Sequence, residues 1–346
     1  MKPADKKIAI IGAGIAGLSC ATALKNAGFE VTVFEKSRGV SGRLSTRIAE
    51  DWQCDHGAQY FTARDADFNT EVARWQNANV AKLWQPTLKV FDGNTFKVKD
   101  NATLRYVGYP HNNTPGKWLA KMLNVVTETT ITSLFKHAGQ WQLRSKEHGP
   151  YHTTFDVVIL AIPAPQAAVI LKGASKLADL CASVVMQPCF ALMVQFTHSI
   201  KCNFDGLFID AGLLTWAACN SAKPGRESNE SNAQTWVLHA SSQWSALHLE
   251  SDTELIAQDM LAAFMQIVSL DTSLKSDVLA SMTVQSYTLH RWLYADCEHY
   301  LTDIYQLDAE QKIGLCGDWL NGGKVQGAWL SGFNLANALI ANNKPI

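Results

Sequence analysis

Three glycines near the start of the chain have the spacing of a loop that binds the phosphates of a dinucleotide. Gly12, Gly14 and Gly17 form the pattern Gly-x-Gly-x-x-Gly. In such a loop the first glycine allows a tight turn, the second lets a pyrophosphate approach the backbone, and the third lets a helix pack closely on a strand. The N–H groups at the start of that helix, here around Ile15 and Ala16, favour the bound anion.

An acidic residue behind this loop indicates which part of a dinucleotide it would meet. Glu35 closes the next apolar stretch of strand type, where a carboxylate accepts hydrogen bonds from ribose hydroxyl groups. The same carboxylate would repel a phosphate on the ribose 2′-oxygen. The motif therefore predicts a dinucleotide without a 2′-phosphate, and by itself it does not separate FAD from NAD.

Basic residues cluster directly behind Glu35. Lys36, Arg38, Arg43 and Arg47 lie within residues 34–47, whereas the whole chain of 346 residues has a formal net charge of −1. A solvated loop, a nucleic-acid patch and a clamp on a cofactor are three interpretations of such a run. The glycine motif favours the clamp, with Arg43 as a planar donor that suits phosphate and Lys36 at the adenosine. Arg38 and Arg47 receive no role.

The elements that must position these groups follow in the required order. Residues 7–11 are an apolar run of strand type, residues 18–26 continue as a helix, and residues 30–34 form the second strand. Residues 155–163 contain a further buried strand that reaches Ala161, and residues 129–134 have the pattern of another strand. This alternation predicts an α/β fold with a parallel sheet.

Residues 35–47 resemble the segment that follows the second strand in the flavin-containing amine oxidase and glutathione-reductase-like superfamily. The resemblance implies non-covalent FAD, with Gly42 and Arg43 at its pyrophosphate. By the same analogy, Ile131 lies near the adenine and the strand through Ala161 crosses back near the cofactor.

Residues 313–335 are similar to the second FAD motif of that superfamily. The similarity implies that Asp318 holds the ribityl chain and the pyrophosphate end. It also implies that the start of the final helix faces the pyrimidine oxygen of the flavin, where a helix dipole stabilises negative charge. The residues at that helix start are Gln326, Gly327 and Ala328.

Four short stretches narrow the resemblance to the renalase-like group of flavoprotein oxidases. They are residues 55–62, 220–226, 236–241 and 290–295. Membership of this group implies oxidation of isomeric dihydronicotinamide dinucleotides, with hydride transfer to FAD and then to O2, giving H2O2. Because such a substrate loses hydride without losing a proton, the site needs stacking surfaces and positioning donors more than a general base.

The resemblance also implies which residues form the site. Tyr60 and Trp292 are the predicted walls of an aromatic slot over the flavin, and Asn220 and His239 are predicted polar contacts to the substrate. The flavin edge is expected to meet the loop formed by Gly57, Ala58 and Gln59.

The three FAD markers span the chain, so the FAD-binding domain is predicted to be discontinuous. We expect a Rossmann-type, glutathione-reductase-like FAD domain at residues 1–80, 118–166 and 296–346. Residues 81–117 and 167–295 are expected to form an inserted α+β substrate domain on a mainly antiparallel sheet, because their strand patterns alternate.

Composition excludes several other classes. The near-neutral charge provides no basic field for nucleic acid or anionic membrane, and eight cysteines without a Cys-x-x-Cys pair or zinc spacing predict no metal and a cytoplasmic location. Residues 8–24 resemble a signal peptide, but ordered glycines interrupt them and favour a core strand and helix. Small-molecule substrate and O2 are the expected partners, and the oligomeric state stays open.

Two other functions remain open from the sequence. One is an amine oxidase, which the superfamily supports, although Gln326 stands where that family often has glutamate. The other is a non-catalytic FAD-binding redox sensor, which would hold the cofactor without reduction by any substrate.

Overall fold

Strands and helices alternate along the chain in an α/β arrangement, and the computed structural model describes residues 6–100, 102–200, 202–226, 233–271 and 282–342. In those ranges the strands are β1 (Lys7–Ile11), β2 (Glu30–Phe34), β3 (Thr46–Ile48), β4 (Gln53–Asp55), β5 (Ala81–Trp84), β6 (Leu88–Phe91), β7 (Phe96–Val98), β8 (Arg105–Gly108), β9 (Asn124–Val126), β10 (Ile131–His137), β11 (Gln140–Ser145), β12 (Gly149–Phe155), β13 (Val157–Leu160), β14 (Met186–Phe196), β15 (Gly206–Ile209), β16 (Leu214–Cys219), β17 (Gln234–Ala240), β18 (Val284–Cys297), β19 (Gln306–Asp308) and β20 (Ile313–Leu315). The helices are α1 (Ile15–Asn26), α2 (Ala66–Asn77), α3 (Thr114–Ala120), α4 (Ala164–Leu171), α5 (Leu177–Ala182), α6 (Ser242–Leu247), α7 (Thr253–Ser269) and α8 (Lys324–Ala341).

A six-stranded sheet contains the predicted phosphate loop. Its order is β19-β20-β13-β1-β2-β9, and every neighbouring pair is parallel except β19 with β20. The four central strands are almost wholly buried, as expected for a parallel sheet covered on both faces. Their carboxyl ends therefore meet at one edge, where ligands of open α/β sheets bind.

A seven-stranded sheet is built from three separate parts of the chain. Its order is β18-β14-β17-β16-β15-β6-β7, and its pairs are antiparallel except β15 with β6. The mainly antiparallel character agrees with the alternating sequence pattern. The smaller sheets are β10-β11-β12 and the pairs β3-β4 and β5-β8.

Four clusters of buried apolar side chains hold these layers together. One joins α1, α2 and α8 to one face of the six-stranded sheet, and another joins α4, α5 and the β10-β11-β12 sheet to its opposite face. A third packs α7 on the seven-stranded sheet. The smallest, around Trp84, Met193, Trp216 and Val237, lies on that sheet's other face and also includes Cys54 of β4.

The packing differs from the predicted domain division in two places. Helices α4 and α5 belong to the core of the six-stranded sheet, so this part extends past residue 166 to about Val184. Ala81 and Tyr106 likewise pack in the core that contains α1, inside the predicted segment 81–117. Periodicity identifies an apolar helix face, but it does not say which of two cores that face joins.

The strand predicted at residues 129–134 is confirmed as β10, and the structure adds a short strand, β9, that was not predicted. The neighbour of β2 is β9, a short strand at Asn124–Val126, whereas the predicted strand at residues 129–134 is β10 of the three-stranded sheet. A three-residue strand carries too little pattern to be recognised. Among the described helices, none is long and apolar enough to cross a membrane.

Candidate cofactor and substrate site

The predicted phosphate loop, residues 12–17, connects β1 to α1 with each glycine in a distinct role. Gly12 has a φ of 105°, and a Cβ there would lie 2.5 Å from the carbonyl oxygen of Ala161. A Cβ on Gly17 would lie 2.0 Å from the Gly12 oxygen, so this glycine allows helix and strand to touch. A Cβ on Gly14 would have nothing within 4 Å. Of the three loop glycines, Gly14 alone is not required by packing, and it is the one predicted to face the pyrophosphate.

Glu35 is held at the carboxyl end of β2 by backbone groups. Its Oε2 accepts a hydrogen bond of 2.9 Å from the Ala13 N–H, and its Oε1 accepts one of 2.8 Å from the Ser37 N–H. The carboxylate is therefore fixed beside the phosphate loop, and each oxygen retains a further lone pair. Lys36 is exposed next to it, and Ile131 is buried at the start of β10.

Arg43 joins the two predicted FAD motifs. Its Nη2 donates to Oδ1 of Asp318 at 2.5 Å, and its Nη1 donates to the Ala295 carbonyl at 3.0 Å. Burial by itself lowers the pKa of the guanidinium, but the charge and hydrogen bond of Asp318, with smaller contributions from Cys297 and Asp296, together raise it. The two residues lie 275 positions apart, and the fold brings them together at the carboxyl edge of the six-stranded sheet. Gly42 precedes Arg43 and packs against Gly14, where its Cβ would lie 3.3 Å from the Gly14 Cα.

The start of α8 lies at this edge too, but the Gln326 side chain has another partner. The helix begins at Lys324, so Gln326, Gly327 and Ala328 fall at its start as predicted. The Gln326 Oε1 accepts hydrogen bonds from the backbone N–H groups of Arg64 at 2.7 Å and Asp65 at 3.1 Å. Its amide therefore fixes the start of α2 to α8.

The loop that follows β4 connects the Arg43 region to a group of aromatic rings. The Ala58 N–H donates to the Arg43 carbonyl at 2.9 Å, and a Cβ on Gly57 would lie 2.0 Å from that same oxygen. The Trp292 ring is on the other side, 3.4 Å from the same added Cβ. Gly57 is thus the spacer between the predicted cofactor clamp and Trp292.

Three rings form what we call the imidazole–tryptophan cluster, composed of His56, His290 and Trp292. The His56 ring stacks on Trp292 with centroids 5.3 Å apart and meets His290 edge-on at 4.8 Å. The Trp292 indole donates to the His56 carbonyl at 2.9 Å. Although residues 55–62 contributed to the family resemblance, His56 was not among the predicted site residues. A single histidine in one sequence gives no indication of a functional role. The rings that His56 contacts, His290 and Trp292, belong to β18, which lies far along the chain.

His239 lies in a row of paired residues that crosses the seven-stranded sheet. Trp216 of β16 pairs with His239, which pairs with Ala191 of β14, and Ala191 pairs with His290 of β18. Directly opposed residues share a face of the sheet, so this row faces the loop that follows β4. The His239 Nε2 is buried and makes no hydrogen bond of normal geometry among the described residues.

Tyr60 lies at the other end of this row from Trp292. Its ring centroid is 6.0 Å from Trp216 and 5.9 Å from Trp84, and the Arg105 guanidinium lies 5.4 Å from its centre. Tyr60 and Trp292, predicted as two walls of one slot, thus border different parts of the same face.

The side chains of Asn220 and Gln59, both predicted to contact a ligand, form hydrogen bonds within the protein. Asn220 is fully buried, its Oδ1 accepts from the Asp55 N–H at 3.1 Å, and its Nδ2 donates to the Gln53 carbonyl at 3.0 Å. Both amide groups of Asn220 thus bind the backbone of β4, and its predicted contact to the substrate stays a prediction. The side chain of Gln59 donates to the Asp55 and Gly57 carbonyls and accepts from Lys223, and its predicted contact to the flavin edge stays a prediction.

A buried ion cluster lies beneath the loop, composed of Asp55, Lys223 and Arg226. The Asp55 Oδ2 accepts from Lys223 at 3.1 Å and from Arg226 at 2.9 Å, and all three side chains are inaccessible to solvent. Burial alone would raise the pKa of Asp55, but the two cations lower it, while burial lowers the pKa of Lys223. The cluster contains two basic groups for one carboxylate. The sequence does not indicate it, because Asp55 lies 168 positions from Lys223 and 171 from Arg226.

The histidines of this region are held neutral. Burial, the nearby His290 and Arg47 lower the pKa of His56 to about 4. Burial and Lys223 lower the pKa of His239 to about 4, and burial and Arg47 lower that of His290. At neutral pH these imidazoles accept or donate hydrogen bonds without carrying charge. Within the described residues, no group of His, Cys, Asp or Glu has the arrangement of a metal site.

Comparisons with known proteins agree with the dinucleotide-binding part of this description. Residues 10–74 match the family model of the NAD(P)-binding Rossmann-like domain. The chain is 29% identical over 198 residues to the tRNA 5-methylaminomethyl-2-thiouridine biosynthesis bifunctional protein of Magnetococcus marinus, across 45% of this chain and 29% of that protein. It is 48% identical over 52 residues to an L-amino-acid oxidase of Crotalus adamanteus, across 15% of this chain and 10% of that protein. The matched parts thus span less than a third of these relatives.

Solved structures share the fold along nearly the whole chain. The cyclohexylamine oxidase of Brevibacterium oxydans superposes with a TM-score of 0.72 at 11% identity, covering 97% of this chain and 99% of that one. A candidate protoporphyrinogen oxidase from Exiguobacterium has a TM-score of 0.77 at 11% identity with the same coverage. The chain therefore contains a Rossmann-like dinucleotide-binding region, within an α/β fold that it shares with these oxidases.

Proposed function

We propose that this protein is an FAD-dependent oxidoreductase whose cofactor is held, without a covalent bond, at the carboxyl edge of the six-stranded sheet. Three observations support FAD: the open space at Gly14, the Glu35 carboxylate fixed beside it, and the guanidinium of Arg43 between the two motifs. In this proposal the six-stranded sheet is the glutathione-reductase-like part and the seven-stranded sheet is the substrate side. The eight cysteines, which are free thiols, fit a reducing, cytoplasmic compartment.

The proposed substrates are isomeric dihydronicotinamide dinucleotides. The observation that carries this choice is the imidazole–tryptophan cluster, which Gly57 connects to Arg43. Flat rings favour a planar substrate, and imidazoles with lowered pKa favour hydrogen bonding to a neutral amide group.

In this proposal the protein's main task is to hold the substrate ring, because the reaction releases a hydride and creates an aromatic pyridinium. Trp292 and His56 provide a stacking surface, and His239 provides a neutral polar group. Bound FAD would accept two electrons from the substrate and pass them to O2. Overall, one dihydronicotinamide, one O2 and one proton give one oxidised nicotinamide and one H2O2.

An amine oxidase is the second candidate, and the similar proteins favour it, since they include an L-amino-acid oxidase and a cyclohexylamine oxidase. The electrostatics of the site argue against it. The imidazoles of His56 and His239, with pKa values of about 4, are poor bases for the deprotonation of an ammonium substrate.

Anaerobic mixing separates these functions. The FAD-loaded protein is mixed without O2 either with NADH that contains its minor ring isomers or with a series of monoamines and amino acids, and the flavin absorbance is followed. We expect the isomers to bleach the flavin, amines to leave it unchanged, and air to restore it with formation of H2O2. Bleaching by amines alone would contradict the proposal, and bleaching by neither class would favour the redox sensor.

Substitution of Trp292 tests the stacking surface. Trp292→Ala is expected to slow flavin reduction by at least about tenfold while FAD stays bound, because a misplaced ring loses its reactive orientation. Trp244→Ala is the matched control, since this partly buried tryptophan packs with the core on the opposite face of the sheet. Equal rates in Trp292→Ala and the wild-type protein would remove Trp292 from the site.

A further inference from the structure

Arg47 is one of two basic residues of the stretch 34–47, with Arg38, whose positions the proposed cofactor clamp does not explain. It lies in β3, between Thr46 and the exposed Ile48. Thr46 is buried and its hydroxyl donates to Asp55 at 2.6 Å, which fixes this strand to the buried ion cluster. Arg47 itself is exposed. A strand fixed by the buried ion cluster therefore presents the Arg47 side chain at the surface.

The same strand borders the imidazole–tryptophan cluster. The Ser45 hydroxyl lies 3.4 Å from the His56 Nε2, so residues 45–47 run beside that ring. Arg47 is also close enough to both His56 and His290 that its charge lowers the pKa of each imidazole. The guanidinium is thus at the rim of the rings that are proposed to hold the substrate.

The surroundings of Arg47 leave its charge uncompensated. In the described parts of the chain, Arg47 forms no ion pair, whereas the Arg43 guanidinium is paired with Asp318 and the Arg226 guanidinium with Asp55. Its neighbours at the cluster are the imidazoles of His56 and His290, which carry no negative charge. An anion on a ligand would supply the missing partner, and a planar guanidinium suits phosphate oxygens in particular.

We infer that Arg47 binds a phosphate group of the substrate while the substrate's ring lies against His56 and Trp292. The inference rests on the proposed function and specifies its substrate class as phosphate-bearing nicotinamide nucleotides. A simple amine has no group for this position. Arg47 therefore determines specificity through binding and takes no part in hydride transfer.

The test compares substrates with and without phosphate on the FAD-loaded protein. Isomer-containing NADH carries a pyrophosphate, and isomers of 1-methyl-dihydronicotinamide carry the same ring without phosphate. The apparent dissociation constant and the limiting rate are obtained from anaerobic flavin reduction at increasing substrate concentration. The variants are Arg47→Ala, Arg47→Lys, and Arg144→Ala as an exposed arginine on β11 of the three-stranded sheet.

In Arg47→Ala we expect the apparent dissociation constant for the dinucleotide isomers to rise by about tenfold or more, with the limiting rate unchanged. The phosphate-free substrate should be unaffected, Arg47→Lys should retain part of the affinity, and Arg144→Ala should match the wild-type protein. An equal change for both substrates, or no change for either, would overturn the inference.

A second measurement separates this inference from the proposed reaction. Binding of oxidised NAD+ is followed through the perturbation of the flavin spectrum, which requires no turnover. One outcome is that no isomer is oxidised, but NAD+ binds and Arg47→Ala lowers its affinity by about tenfold. This result would support the phosphate site at Arg47 and contradict the proposed reaction. If NAD+ does not bind, or binds equally to wild type and Arg47→Ala, the phosphate site falls whether or not the isomers are oxidised.

Discussion

At the scale of single residues, Arg43 connects several of the groups proposed to hold the cofactor. It pairs with Asp318 and its carbonyl oxygen accepts from Ala58, so one residue touches both FAD motifs and the loop towards Trp292. Arg43→Ala is expected to weaken FAD binding by about tenfold or more, because a charge-assisted hydrogen bond contributes about 1.5–3 kcal/mol. The measurement is the flavin content of the purified variant and its affinity for added FAD. Arg38→Ala, an exposed neighbour, is the control, and full FAD retention in Arg43→Ala would contradict the assignment.

Residue roles were predictable from the sequence where they depend on neighbours in the chain. The glycines at positions 12, 14 and 17 could be assigned because turn, helix start and packing follow directly from their spacing. Asn220 could not, because its partner Asp55 lies 165 residues away. For the same reason His56 was missed, since the rings that surround it belong to β18.

At the scale of elements, two glycines in the turn from β1 to α1 have different roles: packing requires Gly17, whereas Gly14 is proposed to face the cofactor. A Cβ on Gly17 would meet the Gly12 oxygen at 2.0 Å, whereas a Cβ on Gly14 meets no protein atom within 4 Å. We expect Gly17→Ala to lower the free energy of unfolding by more than about 1 kcal/mol, because backbone atoms must move. Gly14→Ala should leave stability nearly unchanged yet weaken FAD binding, because its methyl group enters the space proposed for the pyrophosphate.

Urea denaturation and FAD titration of these two variants check this difference. Gly39→Ala is the matched control, since its Cβ also meets nothing within 4 Å and its φ lies outside the left-handed region. Gly14→Ala with normal FAD affinity would show that the pyrophosphate does not lie at this glycine.

Element types were more predictable than element partners. The strands β1, β13 and β20 are almost wholly apolar, and in β2 apolar residues alternate with Glu30 and Thr32, so the sequence pattern indicates all four directly. The association of α4 and α5 with the six-stranded sheet depends on which core offers a complementary surface, and this is a property of the assembled fold.

At the scale of the whole molecule, the buried imidazoles make stability depend on pH. The ordinary pKa of histidine is 6.5, and in the folded chain those of His56 and His239 are about 4. Between these values the unfolded chain binds more protons than the folded chain, so the free energy of unfolding falls as the pH is lowered from 6.5 to 4. Each imidazole contributes at most about 3 kcal/mol to this loss, and His111 and His290 shift in the same direction.

Urea denaturation at a series of pH values measures this dependence. We expect the loss between pH 6.5 and 4 to be smaller in His239→Gln, which keeps a polar side chain without an ionisable ring. If the free energy of unfolding does not change between pH 6.5 and 4, the folded and unfolded chains bind equal numbers of protons, which would contradict the lowered pKa values.

The central claim concerns the whole chain, because the proposed cofactor contacts residues 12–47 at one end and 318–328 at the other. Its most direct test is the cofactor content of the purified full-length protein, measured from the visible spectrum and from what acid precipitation releases. The account predicts close to one FAD per chain, released intact into the supernatant with the protein left colourless. Protein that contains no flavin and does not bind added FAD, or flavin that stays attached to the precipitate, would contradict it.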